Sequence, residues 1–301
     1  MSLAPSDHDM RLVLGTAQIG MDYGIINRTG RPDPAVASLM IQSAIESGVQ
    51  EFDTAQVYGN SEHVLGHIVA SRSDSDRLKF ISKPNIDLNR LSSNTLKEAA
   101  QRSSNNLGIH KLYGFLLHKE RMLEYWEDGL GFQMTELLRC GLVDHIGVSV
   151  YTPEKANQAL DMDDITILQI PSNVLDRRFE NAGIFEKADG LNKQIYVRSV
   201  YLQGLLLADP NKLPQHMHFA VPALKAFESF AREVKVSKHS LALAYVRDAY
   251  TKAKIIVGSE TLDQFQANLK AWQMPLAKGI VESIQECFTE IDDTVLNPSR
   301  W

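Results

Sequence analysis

Cysteine is scarce in this sequence: its 301 residues contain two, Cys140 and Cys287, which lie far apart and form no CxxC pair. This argues against a disulfide framework or a thiolate zinc site, and both cysteines are predicted to be reduced and half-buried. No stretch comes close to the ~18 uninterrupted apolar residues that a membrane span requires, and residues 1–11 lack the apolar core of a signal peptide. We therefore expect a cytoplasmic protein that does not cross a membrane.

Basic residues are in the minority. Lys and Arg number 31 against 37 Asp and Glu, and the net charge of −6 comes without any basic run. This argues against nucleic acid or an anionic membrane surface as a partner. The hydrophobic fraction of 44% and the charged fraction of 23% are ordinary for a globular protein. Because no linker rich in Pro, Gly or Ser divides the chain, we predict one domain over residues 1–301.

The sequence alternates regularly between two kinds of segment. Short runs rich in apolar and β-branched residues are separated by segments with apolar residues at helical spacing. Asp33 before Pro34, and Thr152 before Pro153, are typical helix starts. Eight strand–helix units favour a closed (β/α)₈ barrel over an open doubly wound sheet, with extra helices towards the C-terminus. The predicted strands are 12–15, 49–53, 78–83, 112–118, 143–150, 165–170, 194–200 and 254–258.

Polar side chains stand where several of these strands end, which is where a barrel places its chemistry. Asp53, Lys83 and His118 end the second, third and fourth strands, and Tyr58 follows Asp53 closely. Each of them alone is typical of a structural residue. Together they form a proton donor for a carbonyl oxygen, because a lysine beside a phenol lowers its pKa and a carboxylate holds that lysine in position. No side chain supplies a hydride, so reduction requires a cofactor.

Several segments closely resemble the aldo-keto reductase family: LGTAQIG at 14–20, FDTAQVYGNSE at 52–62, ISKP at 81–84, LLH at 116–118, IGVSVY at 146–151 and LQIPSNVLDRR at 168–178. The resemblance runs from about residue 11 to residue 273. It implies a (β/α)₈ barrel that binds extended NADP(H) without a Rossmann domain, and no GxGxxG follows any strand here. It also implies that Asp53, Tyr58, Lys83 and His118 are the catalytic tetrad, with no metal.

The resemblance further implies a set of cofactor-binding residues. Ser149 and Gln169 would hold the nicotinamide carboxamide, the segment Ser199–Gly204 would wrap the pyrophosphate, and residues after the eighth strand would meet the adenosine. A helix that opens at Thr261 favours a phosphate at its N-terminus. The full implied set is Thr16, Asp53, Ser149, Gln169, Arg198, Ser199, Leu202, Gly204, Gly258, Ser259, Gln264 and Asn268.

Three positions depart from the family pattern. Val150 stands where Asn is usual, and Arg198 stands where an aromatic ring often stacks on nicotinamide. Glu260 stands in the stretch where many members place an Arg or Lys on the 2′-phosphate. Ser259 and Gln264 would bind that phosphate as neutral donors, whereas Glu260 would accept a hydrogen bond from a ribose hydroxyl. NADP(H) is therefore the expected cofactor, with NAD(H) as the alternative.

The sequence predicts an enzyme that reduces an aldehyde or ketone, including one derived from a sugar, to an alcohol. One alternative is a nucleotide-binding barrel that acts as a sensor or subunit with little turnover. Another is a metal-dependent barrel enzyme, which would need more carboxylate and histidine ligands at strand ends. Loops 17–30, 119–132 and 205–221 and the tail 291–301 are expected to form the substrate pocket. Its aromatic walls are predicted to be Tyr23, Tyr125, Trp126, Phe132 and Trp301.

Overall fold

The computed structural model describes residues 10–25, 27 and 30–301. Residues 1–9 lie outside the described residues. They include the N-terminal end of the predicted domain and most of the segment 1–11 that lacks a signal-peptide core. Residues 26, 28 and 29 of the predicted pocket loop 17–30 also lie outside the described residues.

Eight parallel strands close into a barrel in chain order, as predicted. The ring closes where the first strand pairs with the eighth, with Gly15 opposite Gly258. Each predicted run overlaps one observed strand, and their ends agree within about two residues. The strands are β1 Leu12–Gly15, β2 Glu51–Asp53, β3 Lys79–Ser82, β4 Leu112–Leu117, β5 Val143–Ser149, β6 Ile165–Pro171, β7 Gln194–Arg198 and β8 Lys254–Gly258.

Helices surround the barrel, and their starts follow the predicted caps. The Asp33 side chain accepts a hydrogen bond from the Ala35 N–H, and Thr152 accepts one from the Lys155 N–H. The helices are α1 Ala17–Gly20, α2 Pro34–Glu46, α3 Ser61–Ala70, α4 Thr95–Leu107, α5 Gly131–Arg139, α6 Pro153–Leu160, α7 Arg178–Asn181, α8 Ile184–Gly190, α9 Val221–Glu233, α10 Lys238–Ala249, α11 Leu262–Gln273, α12 Ile280–Cys287 and α13 Asp293–Leu296.

The barrel interior has an apolar middle between two polar ends. Val13, Ile81, Leu116, Ile167, Tyr196 and Ile256 form its buried apolar cluster. Because side chains alternate along a strand, Glu51 and Asp53 both face the interior. They are the first and last residues of β2 and therefore lie towards its opposite ends. Phe52 between them faces outward and stacks on Phe80 with ring centroids 5.4 Å apart. The strand thus places one carboxylate at each mouth of the barrel.

The exposure of the two cysteines corrects one prediction. Cys140 and Cys287 are free, as expected, but both are exposed rather than half-buried, since each lies at the outward-facing end of a helix. Among the described residues, no helix has the length and apolarity needed to cross a membrane.

Candidate active site

A cavity of about 250 Å³ opens at the C-terminal ends of the strands. It runs from the residues after β2, β3 and β4 towards the start of α11. Much of its lining is polar, and its walls come from all parts of the chain. They include Thr16, Asp53, Tyr58, Lys83, His118, Ser149, Gln169, Arg198, Ser199, Gly204, Gly258, Gln264 and Asn268.

Asp53 and Lys83 form a buried ion pair at the floor of this cavity. The Lys83 side chain is 1% exposed, and its Nζ lies 2.7 Å from Asp53 Oδ1 and 3.0 Å from the Thr54 carbonyl oxygen. The Gln169 amide Nε2 also donates to Asp53 Oδ1. Burial lowers the pKa of Lys83, and the Asp53 carboxylate opposes that shift. The carboxylate therefore keeps the lysine charged and in place.

Tyr58 lies beside this pair, with Lys83 Nζ 5.5 Å from the centre of its ring. The sequence predicts that Lys83 lowers the pKa of Tyr58. In the structure the pKa of Tyr58 is raised well above its ordinary value, first by burial and then by the Asp53 charge, while Arg198 opposes the shift. The main reason is burial, which disfavours the charged phenolate, and the nearby Asp53 carboxylate adds to the shift. Tyr58 is thus a protonated phenol at neutral pH.

His118 completes the group from the end of β4. Its ring meets that of Tyr58 edge to face, with centroids 5.8 Å apart. Burial, and then the positive charges of Lys83, Arg198 and Lys119, lower the pKa of His118 to about 3. The imidazole is therefore neutral at physiological pH and has one N–H to donate.

A close contact between two glycines fixes the position of Tyr58. A Cβ on Gly20 would lie 1.7 Å from the Tyr58 carbonyl oxygen, and one on Gly59 would lie 2.1 Å from the Gly20 carbonyl oxygen. Gly59 also has a φ of +55°, which a residue with a side chain rarely adopts. The backbones of α1 and the Tyr58 loop can approach each other in this way only without side chains.

Arg198 occupies the rim next to the tetrad. Its guanidinium donates to Ser149 Oγ at 3.2 Å and to the Val150 carbonyl oxygen at 3.1 Å, and it lies 4.1 Å from the centre of the Tyr151 ring. Glu120 supports this arrangement, because its Oε2 accepts from the Tyr151 N–H at 2.7 Å. The predicted carboxamide ligand Ser149 is thus bonded to Arg198.

The turn after β7 has an unusual backbone. Ser199, Leu202 and Gln203 have φ values of 62°, 50° and 53°, and Gly204 follows at 92°. Non-glycine residues rarely adopt such values, and they cluster at functional sites. The Gln203 carbonyl oxygen accepts from the Ile25 N–H at 3.0 Å. The β1 loop is therefore joined to this turn across the cavity.

The far end of the cavity carries a network of polar side chains. Tyr201 and His239 stack with centroids 5.1 Å apart, and both bond to the Asn268 Oδ1, at 2.7 and 2.8 Å. The Asn268 Nδ2 donates to Ser259 Oγ at 3.0 Å. Asn268 is thereby held in one orientation, facing the cavity.

Most of the predicted site residues thus come together. Leu202 and Ser259 do not line the cavity, and the buried Ser259 hydroxyl instead accepts from Asn268 Nδ2. Sequence reasoning missed the lining residues Tyr151 and His239 because they lie in a loop and on a helix, where no local pattern marks them. The lining residues Tyr201 and Gln203 fall within the predicted segment Ser199–Gly204, and Gln18 falls within the predicted pocket loop 17–30.

The predicted aromatic walls need a correction. Of the five aromatic residues proposed, Tyr23 lines the cavity and the other four do not. The Trp126 ring packs on Gly131 at the start of α5, and Phe132 is 67% exposed. Trp301 donates through Nε1 to the Thr294 carbonyl oxygen, and Tyr125 packs against the outer core. The cavity's aromatic surface instead comes from Tyr23, Tyr58, Tyr151 and Tyr201.

Comparison with known proteins decides the family. The aldo/keto reductase family matches residues 11–289. The chain belongs to this family. Members of the family generally use nicotinamide cofactors and act on small carbonyl compounds. This confirms the resemblance given by the sequence motifs.

Two related sequences and two solved structures illustrate the similarity. Rhazimal reductase 2 of Alstonia scholaris is 28% identical over 196 residues, and the match spans 56% of each chain. An uncharacterized oxidoreductase of Bacillus subtilis (strain 168) is 24% identical over 312 aligned residues and 92% of each chain. With the family match, these relatives identify this aldo/keto reductase as an oxidoreductase.

The solved structures share the barrel. An aldo-keto reductase from Bacillus halodurans, in its holo form, superposes with a TM-score of 0.75 at 22% identity, covering 100% of this chain and 99% of that one. A glycerol dehydrogenase from Gluconobacter oxydans gives 0.72 at 19% identity, covering 96% and 93%. At these identities the likeness shows the fold.

Proposed function

We propose that this aldo/keto reductase is an NAD(P)H-dependent enzyme that reduces an aldehyde or ketone, including a sugar-derived one, to an alcohol. The observation that carries the proposal is the convergence of Tyr58, Lys83, Asp53 and His118 in one cavity. The resemblance favours NADP(H), with NAD(H) as the alternative form.

The four residues have distinct roles in this proposal. Tyr58 Oη gives its proton to the carbonyl oxygen, which becomes a strong base as the carbonyl is reduced. The charge of Lys83, held by Asp53, stabilises the phenolate that remains. Neutral His118 donates a hydrogen bond to the same oxygen and orients the substrate. The nicotinamide supplies the hydride when it is bound.

The elongated cavity and its polar donors fit a dinucleotide. In this proposal Thr16, Ser149, Gln169 and Arg198 surround the nicotinamide end. The turn that contains Ser199, Leu202 and Gly204 holds the pyrophosphate, since left-handed turns direct backbone N–H groups into one concave site for an anion. The adenosine end belongs to Gly258, Gln264 and Asn268, which line the cavity, and to Ser259, whose hydroxyl holds Asn268.

Tyr58→Phe tests the proposal, since it removes the acidic hydroxyl and retains the ring. Reduction of an activated aldehyde such as 4-nitrobenzaldehyde should fall by ~10²-fold or more, while nucleotide binding followed by fluorescence persists. Tyr151→Phe is the matched control, because it removes a hydroxyl from another cavity tyrosine and retains the ring beneath Arg198. Near-normal turnover of Tyr58→Phe would exclude Tyr58 as the proton donor.

A further inference from the structure

The end of the cavity opposite the tetrad carries a carboxylate. Glu260, two residues after the end of β8, lines the cavity and is half-buried. A Cβ on Gly24 would lie 3.7 Å from Glu260 Oε1, so the β1 loop packs close to the carboxylate. A nucleotide whose nicotinamide lies at Tyr58 would extend along the cavity and place its adenosine half near Glu260.

The donors of Gln264 at the start of α11 are already used by the protein. Gln264 Oε1 accepts from the Glu260 N–H at 2.8 Å, and Gln264 Nε2 donates to Glu260 Oε2 at 3.4 Å. The Gln264 N–H donates to Thr261 Oγ1 at 3.2 Å. A phosphate at a helix N-terminus relies on donors of this kind. Gln264 is therefore bonded to a carboxylate in the place where it would have to bind a phosphate.

The positive charges of the cavity lie at its other end. Among the described residues of its lining, the Lys and Arg side chains are Lys83, which belongs to the tetrad, and Arg198, which adjoins it. Lys83 is paired with Asp53, and Arg198 is bonded to Ser149. His239 lies at the adenosine end, but burial lowers its pKa, which keeps it neutral. No described lining residue there offsets the charge of a phosphate.

We propose that Glu260, held by Gln264, makes this site select NAD(H) over NADP(H). A carboxylate accepts a hydrogen bond from a free ribose hydroxyl, as acidic residues do in other dinucleotide sites. A 2′-phosphate would instead place negative charge beside negative charge in a partly buried position. This inference rests on the proposed function and reverses the preference for NADP(H) that the family resemblance implies.

Direct binding titrations of NADH and NADPH, by fluorescence or calorimetry, test this selection in the wild type, Glu260→Arg and Asp263→Arg. The wild type should bind NADH at least ~10-fold more tightly than NADPH. Glu260→Arg should tighten NADPH by roughly 10- to 100-fold, the range of a charge-assisted hydrogen bond. Asp263 lies exposed in the first turn of α11, three residues after Glu260, and outside the cavity lining. Its variant makes the same charge change and should leave the ratio of the two affinities unaltered.

These titrations distinguish failure of the NAD(H) selection from failure of the proposed function. Equal or tighter binding of NADPH by the wild type would overturn the selection while leaving the proposed function intact. Similar effects of Glu260→Arg and Asp263→Arg would also overturn it, because general charge rather than a contact at Glu260 would then set the preference. If neither nucleotide binds to the wild type, the proposed function fails and this inference with it.

Discussion

His118 is an imidazole that the fold keeps neutral. Its pKa in the folded protein is about 3, against an ordinary value of 6.5. Between these pH values the unfolded chain binds a proton that the native protein does not. The free energy of unfolding should therefore decrease as the pH falls from 6.5 towards 3.

In His118→Asn the free energy of unfolding should fall less steeply as the pH decreases. The change in slope should correspond to at most about one bound proton. Denaturant titrations between pH 7 and pH 4 would measure the slope. Some slope should remain, because burial also lowers the pKa values of His145 and His239. The exposed His63 offers a control, and an equal effect of His63→Asn would refute the assignment to His118.

Arg198 should bias the site between oxidised and reduced nucleotide. If its guanidinium lies beside the nicotinamide, it repels the positively charged oxidised ring and tolerates the neutral reduced ring. Arg198→Tyr should then raise the affinity for the oxidised form relative to the reduced form by several-fold. Paired titrations of both forms would measure the ratio, with Lys119→Met as the control, since Lys119 is exposed and outside the cavity lining. An unchanged ratio in Arg198→Tyr would contradict the charge argument.

Sequence predicted the tetrad because its members occupy strand ends and a specific motif. It could not predict the state of Tyr58, since the pKa of Tyr58 depends first on burial and then on its distance from the Asp53 carboxylate. It also missed Tyr151 and His239, which reach the cavity through loop and helix packing. The positions of such residues follow from tertiary contacts that no local spacing encodes.

The Tyr58 loop is the element on which the geometry of the site depends most. Gly20→Ala should displace it, because the added Cβ would overlap the Tyr58 carbonyl oxygen. We expect the rate of carbonyl reduction to fall at least ~10-fold, since small displacements of a catalytic group are costly. Gly190→Ala is the control, as a Cβ there meets no atom within 4 Å. Full activity of Gly20→Ala would show that the loop adjusts freely.

Behind this loop, the family motif also has a structural member. Glu62 in α3 is 3% exposed and accepts from Ser82 Oγ at 2.6 Å and from Asn106 Nδ2 at 2.9 Å. It therefore ties α3 to β3 and α4 rather than facing the cavity. The sequence identified the motif, but only the packed structure shows which of its residues face the cavity and which join neighbouring elements.

Prediction succeeded for elements with a strong period and failed for loops. Helix starts at Asp33 and Thr152 form as expected because their capping bonds are local. The loop with Trp126 was wrongly assigned to the pocket, since its ring packs on Gly131 instead. A loop's direction depends on which surface its apolar residues can cover, and this is a property of the whole fold.

We expect the two ends of the barrel to divide stability from activity. At the N-terminal mouth, Glu51 is 4% exposed, accepts from Tyr196 Oη at 2.7 Å and pairs with Lys254 Nζ at 2.9 Å. Glu51→Ala would leave these partners without their acceptor. It should lower the free energy of unfolding by about 3 kcal/mol, the scale for breaking a buried pair, while the folded enzyme retains its turnover.

Asp53→Asn makes the complementary change at the other mouth. It should reduce turnover strongly, because Lys83 loses its charged partner in the cavity. Denaturation curves and initial rates for both variants would separate the two effects. A large loss of turnover in folded Glu51→Ala would contradict this division between the ends.

The first strand, β1, pairs with the last strand, β8, and this pairing closes the barrel at one seam. Gly15 and Gly258 face each other across it, and both line the cavity. A nucleotide that fills the cavity would therefore contact both strands and hold them together. By mass action, a ligand at 100 times its Kd stabilises the closed ring by about 2.7 kcal/mol. Amide hydrogens of β1 and β8 should then exchange with solvent roughly 100-fold more slowly wherever exchange requires the ring to open.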